Sequence, residues 1–190
     1  MRLRAVVIAA VALATSNMAL AQDVDDYSKT IELFRGIPQV APYFESAYGY
    51  AVWERIGRGG LGIGGATGRG QVYVGGKVTG FSRLSDITIG AQAGGQAYRQ
   101  VIFFENKAAY DKFIGGKFEF DASASAVAVT TSAQASAGTQ GTSATAAAGN
   151  PSAGAGSGYQ GGMQTFTLAV GGLMYAATIG GQRYNFRAVD

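Results

Sequence analysis

Apolar positions change period along this chain, and the changes divide it. Residues 23–36 (DVDDYSKTIELFRG) place Tyr27, Ile31 and Phe34 at helical spacing, with Asp23, Asp25 and Asp26 near the positive end of the helix dipole. Gly36 and Pro38 stop that helix, and a second short helical turn follows Pro42 and ends at Gly49. From Gly49 the period falls to two. Segment 57–80 holds short alternating stretches, such as Val72 and Val74, between closely spaced glycines. Strands with glycine inside them bend, bulge or admit another backbone.

Residues 84–94 alternate again, with Ile87, Ile89 and Ala91 on one face and Asp86, Thr88 and Gly90 on the other. Residues 97–104 (AYRQVIFF) form a stronger β-run whose solid apolar end predicts central burial. Asn106 then caps a short helix (KAAYDKFIG) that carries Ala109 and Phe113 on one face, with Gly115 or Gly116 as its stop. Residues 117–137 return to period two, with Phe118, Phe120, Ala122, Ala124 and Ala126 on one side. Residues 138–161 are rich in Gly, Ser, Ala and Thr and read as a long flexible loop. Three strands follow at 164–170, 173–179 and 182–187, separated by Gly171-Gly172 and Gly180-Gly181, a hairpin signal. The pattern predicts an α+β, mainly β fold: an antiparallel curved sheet or closed β-roll with two or three short helices. Closure would use the glycines as bends and remove exposed edges.

The N-terminus stands outside this pattern. Arg2 and Arg4 precede an apolar run from Ala5 to Ala14, and Ala19-Leu20-Ala21 has the small-x-small form of a cleavage site. Residues 1–21 therefore read as a signal peptide. The run falls short of the roughly 20 residues that span a bilayer, so a membrane anchor is the weaker reading. No cysteine follows it for lipid attachment. The expectation is a periplasmic or secreted protein, not a lipoprotein, with residues 22–190 forming a single domain.

Cleavage revises the charge. The formal +3 includes both N-terminal arginines, and the remaining chain carries thirteen basic against twelve acidic side chains. A near-neutral balance does not indicate a nucleic-acid binder. Any anionic partner must be met by a local cluster of basic groups. The chain has no Cys and no His, which excludes a Cys/His zinc site, a thiolate nucleophile, a Ser-His-Asp relay and disulfide staples.

Remaining motifs carry little chemistry. Gly60-Leu61-Gly62-Ile63-Gly64-Gly65 satisfies G-x-G-x-x-G, yet no helix pattern follows it and the glycines continue, so bend chemistry is the reading. Gly116-Lys117 lacks the flanking residues of a P-loop. Glu119 and Asp121 are two apart on a strand and read as a solvated face. Tyr48, Tyr50 and Trp53 precede Arg55 and Arg58. Such residues suit an interface with a polyanion or membrane, where guanidinium pairs phosphate. They suit better a strand whose aromatics enter the core while its arginines face water.

The run from Tyr48 to Ala66 (YGYAVWERIGRGGLGIGGA) resembles the opening of the SYLF domain family. The resemblance continues through Gly70-Gln71-Val72-Tyr73, residues 89–98 (IGAQAGGQAY), Ile102-Phe103-Phe104-Glu105-Asn106, the Phe113-to-Phe120 stretch, Gly171-Gly172-Leu173-Met174-Tyr175 and Ile179-Gly180-Gly181-Gln182. It covers nearly all of the chain after residue 21. The resemblance implies a compact β-rich fold and a non-enzymatic role at lipid surfaces, including phosphoinositides. It also brings an actin label, which an exported protein has no actin to satisfy. Residues 23–36 carry four acids against Lys29 and Arg35 and would be repelled by an anionic membrane.

The expected function is thus an exported, non-catalytic lipid-binding domain without cofactor or metal. Its candidate lipid contacts are Tyr50, Trp53, Arg55, Arg58, Arg69 and Lys77. Two alternatives stand beside it: an envelope protein that binds a protein partner through 138–161, and a small outer-membrane β-barrel.

Overall fold

The computed structural model describes residues 27–120, 126–129, 158–170, 179 and 181–189. The signal-peptide reading, the start of the first predicted helix, most of the 138–161 loop and nearly all of strand 173–179 lie outside the described residues.

Three helices and six strands make up the described fold. Helix α1 is Ser28–Arg35, α2 is Ala41–Ser46 and α3 is Lys107–Ile114; the strands are β1 Gly49–Val74, β2 Lys77–Phe104, β3 Lys117–Glu119, β4 Val127–Val129, β5 Met163–Ala169 and β6 Arg183–Ala188. The predicted mainly β fold with a curved sheet and few short helices is what forms.

The stretches read as separate strands in 57–80 and 84–104 are instead two very long ones. β1 and β2 form one antiparallel hairpin from Gly49↔Phe104 to Val74↔Lys77. Glycine interrupts side chains, not backbone pairing, so the ladder runs through it. Register slips at Trp53/Ile56, Leu61/Ile63 and Val72/Tyr73 bend the ladder instead of ending it. The turn is Gly75-Gly76, at φ 56° and 76°. A two-residue hairpin loop of this hand needs positive φ at both positions, which glycine takes without strain.

The hairpin folds back over its own middle. A Cβ placed on Gly70 would lie 2.6 Å from both Trp53 Nε1 and the Val52 carbonyl oxygen. The two halves of β1 therefore pack backbone against ring, and only hydrogen fits between them. β5 pairs with the far half of β2 (Tyr98–Phe104), and β6 with its near half (Gly80–Ser85). β3 extends the sheet beyond β6, and β4 beyond β5. Counting each half of the long strands, eight strand segments line a half-barrel. One pairing departs from the antiparallel expectation: β4 runs parallel to β5, from Val127↔Phe166 to Val129↔Leu168.

Alternation sends side chains to two cores. Ala51, Trp53, Ile102 and Phe104 point inward, where α3 closes the barrel with Ala109 and Phe113. Tyr50, Val52, Val101 and Phe103 point outward, beneath α1 and α2. Asn106 caps α3 as predicted, its side chain accepting from the Ala109 amide at 3.0 Å. Phe34 of α1 is fully buried, and Phe44 of α2 meets Phe103 edge-on at 4.8 Å. The helices thus cover the outer face over one half of the barrel. The hydrophobic run at 101–104 is buried on both faces, as its sequence predicts.

Candidate functional site

The six sequence candidates do not gather into one site. Trp53 is fully buried inside the barrel, 5.1 Å from the Tyr184 ring. Tyr50 lies under α2, stacked on Tyr73 at 4.9 Å and edge-on to Phe44 at 5.1 Å. Burial raises the pKa of its hydroxyl, against the opposing pull of a hydrogen bond from Arg35. Both rings belong to the core, which corrects their assignment to an interface: neither has surface left to offer. Arg58 turns toward the interior and pairs with the buried Asp86 at 3.1 Å. Arg55 is exposed beside the first register slip, and Lys77 is exposed at the hairpin turn.

Inside the barrel, Tyr98, Gln100, Gln182 and Tyr184 form a hydrogen-bond network. Gln182 Nε2 donates to Tyr98 Oη at 2.9 Å, and Tyr184 Oη donates to Gln182 Oε1 at 2.6 Å. Gln100 Nε2 donates to Tyr184 Oη at 2.7 Å. This network ties β6 to the far half of β2, two strands that share no ladder there. Burial pushes the Tyr98 hydroxyl up to about 12, and pushes that of Tyr184, wholly enclosed, well above its ordinary value. Such phenols stay protonated and act as hydrogen-bonding struts, not as bases.

Arg69 alone of the six belongs to a larger arrangement. At the turn end of the hairpin Tyr73 and Val78 join the core under the helices; beyond them, the outer face of the near half of the hairpin and β6 carries exposed side chains. Along β2, Ser82, Leu84 and Asp86 are buried while Arg83 and Ile87 are exposed, a strict period of two. The registers set residues on that face side by side in rows. Arg69 pairs with Arg83, and Arg83 with Asn185. Gln71, which is buried and accepts from the Tyr73 hydroxyl, pairs with Phe81, and Phe81 with Arg187. Thr67 pairs with Ser85, and Ser85 with Arg183. Arg69, Arg83, Arg183 and Arg187 are all exposed. Adjacent strands lie about 4.8 Å apart, and successive same-face residues about 6.7 Å apart, so these four cations occupy one compact patch.

Arg187 lies over the Phe81 ring at 5.9 Å. Arg183 Nε donates to Glu119 Oε2 at 2.7 Å, with both side chains exposed. Arg69 and Arg83 stand directly opposite each other across the ladder. Like charges in that position disfavour the fold slightly. A cluster assembled at some cost to stability is suited to an anionic partner that neutralises it. Three of its members were missed in the sequence, because Arg83, Arg183 and Arg187 lie in segments that only strand register brings together.

The fold and this face together define a class: a curved β half-barrel whose largely apolar interior holds a small buried hydrogen-bond network and whose outer face carries a cluster of arginines. Among curated proteins, the chain is 31% identical over 159 residues to Beta cell expansion factor A of Aeromonas veronii. The match takes in 81% of this chain and 51% of that protein, so the chain spans about half the length of this curated relative. No family model matches the chain.

Proposed function

We propose that this protein is an exported, non-catalytic module of the SYLF type that binds anionic phospholipid surfaces through its outer arginine face. One observation carries the reading: Arg69, Arg83, Arg183 and Arg187 are all exposed and stand on adjacent strands of one face, in a chain whose thirteen basic and twelve acidic side chains beyond residue 21 nearly balance. Guanidinium groups bind phosphate oxygens in a two-pronged fashion, and each basic side chain near an anionic membrane contributes roughly 1 kcal/mol. The residues quoted above as resembling the SYLF family support the same class of partner.

Two other readings are less well supported. A membrane-spanning β-barrel needs an apolar outward band, and an arginine at bilayer depth costs about 2–4 kcal/mol. Here four arginines occupy the outward positions of three neighbouring strand segments. A protein partner on the envelope has no observation specific to it.

The test is co-sedimentation with vesicles. Phosphatidylglycerol or cardiolipin vesicles should retain the protein at low salt and release it at high salt, while phosphatidylcholine should not retain it. No retention on either anionic lipid at low salt would sink the proposal. Mass spectrometry of the periplasmic protein tests export, with Gln22 as the expected first residue.

A further inference from the structure

The arginine face carries an apolar feature that electrostatics does not use. Ile87 is 76% exposed, far more than Leu33, Tyr48 or Val189, the other exposed large hydrophobic side chains among the described residues. Its placement has a clear cause. Ile87 follows Arg83 and Ser85 on the same side of β2, and its cross-strand partner is Gly65. Glycine has no side chain to lean against it, so the isoleucine projects uncovered. A Cβ on Gly65 would meet the Asp86 carbonyl oxygen at 3.2 Å, so a larger residue would crowd the ladder there. The half-buried Phe81 lies on the same side, beneath Arg187.

A soluble polyanion such as polyphosphate offers such a surface only charge. A lipid surface offers phosphates with hydrocarbon directly beneath them. Arginines that hold phosphates and an adjoining aliphatic side chain match that layering, because a guanidinium sits at the headgroup level while an apolar tip gains by entering below it. We infer that Ile87 inserts beneath the headgroup phosphates held by Arg69, Arg83, Arg183 and Arg187, and that this contact selects a lipid surface over soluble phosphate polymers. The inference rests on the proposed lipid-binding role and adds to it the inserting residue and the choice of partner.

Full burial of an isoleucine strengthens binding by roughly 10- to 150-fold, and partial insertion by about 5- to 10-fold. Salt weakens the arginine contacts and leaves this one, so its share grows as ionic strength rises. The chain contains no cysteine, so Ile87→Cys gives a single labelling site. An environment-sensitive dye at position 87 should shift to the blue on phosphatidylglycerol vesicles and be quenched by lipids brominated on their acyl chains. Ile87→Gln should keep the wild-type melting temperature, bind those vesicles about 5- to 10-fold more weakly in 0.15 M salt, and bind long-chain polyphosphate as the wild type does. If the wild type binds vesicles while the dye is not quenched and Ile87→Gln binds equally well, the insertion is wrong and the lipid-binding role survives. If the wild type ignores vesicles altogether, both fall. Equal loss of vesicle and polyphosphate binding in Ile87→Gln would overturn the selectivity.

Discussion

Removing one arginine of the opposed pair should move stability and binding in opposite directions. Arg83 is the best position, since it lies between Arg69 and Asn185 in the central row of the face. Its side chain is exposed. If the two guanidinium groups of such a directly opposed pair stand about 8 Å apart, unit charges in water repel by about 0.5 kcal/mol before screening. A Debye length of about 8 Å at physiological salt reduces this to about 0.2 kcal/mol, and at low salt it stays near 0.4 kcal/mol. Arg83→Gln should therefore leave the melting temperature unchanged or raise it by about 1 °C. The same variant loses one headgroup contact of roughly 1 kcal/mol, about fivefold in affinity for phosphatidylglycerol vesicles. Arg69→Gln should behave alike, and the double variant should lose about 30-fold. Arg55→Gln, exposed but off the face, is the control and should change neither quantity measurably. Differential scanning fluorimetry and vesicle titration at matched salt supply both readouts. A melting temperature several degrees lower would mean that the arginines hold the fold together. Unchanged vesicle affinity in the double variant would mean that the face is not the site.

Other expectations concern the salt link at the edge of the face and the buried network. Glu119→Gln frees Arg183 from its 2.7 Å ion pair and removes a negative charge beside the patch, so vesicle affinity should rise by about two- to fivefold at low salt; a fall would contradict the assignment of Arg183 to the site. Tyr184→Phe deletes a hydroxyl that donates to Gln182 and accepts from Gln100 in a fully buried setting. The loss should be about 2–3 kcal/mol, with a melting temperature about 5–10 °C lower and vesicle affinity unaffected at 25 °C. Alkali should act through Tyr98. Its hydroxyl titrates at about 12 in the folded protein, against an ordinary value of 10.0, because burial disfavours the phenolate. The folded state then holds its proton more tightly than the unfolded chain. That contribution is fully present below pH 10 and is lost as pH rises through 12, about 3 kcal/mol in all. Melting temperature measured from pH 7 to 12 should be flat to about 9.5 and then fall. The fall should be shallower in Tyr98→Phe, and an equal fall in both would remove Tyr98 as its cause.

Local chemistry is legible in the sequence. Asn106 announced α3, the spacing of Tyr27 and Phe34 announced α1, and the apolar run at 101–104 announced burial on both faces. These features depend on residues a few positions apart. What the sequence concealed depends on distance along the chain. The glycines of 57–80 read as breaks between short strands, yet backbone pairing passes through them and β1 is continuous. Tyr50 and Trp53 sit beside arginines in sequence, but neighbours on a strand point to opposite faces. Here both faces are covered, one by α3 and the barrel interior, the other by α1 and α2. Conversely, Arg69, Arg83 and Arg187 are far apart in sequence and adjacent in space, because an antiparallel register is set by the fold-back of the hairpin and the docking of β6. No local pattern encodes that register.

The central claim, that the arginine face meets the membrane, is open to one direct measurement. Asn185 lies in the middle of the face, and Ala108 is exposed on α3, which closes the barrel on its other side. Since the chain has no cysteine, Asn185→Cys and Ala108→Cys each carry one environment-sensitive dye. Upon addition of phosphatidylglycerol vesicles at low salt, the dye at 185 should shift to the blue and become shielded from an aqueous quencher, while the dye at 108 stays exposed. Shielding at 108 with none at 185 would place the membrane on the opposite side of the protein and contradict the account.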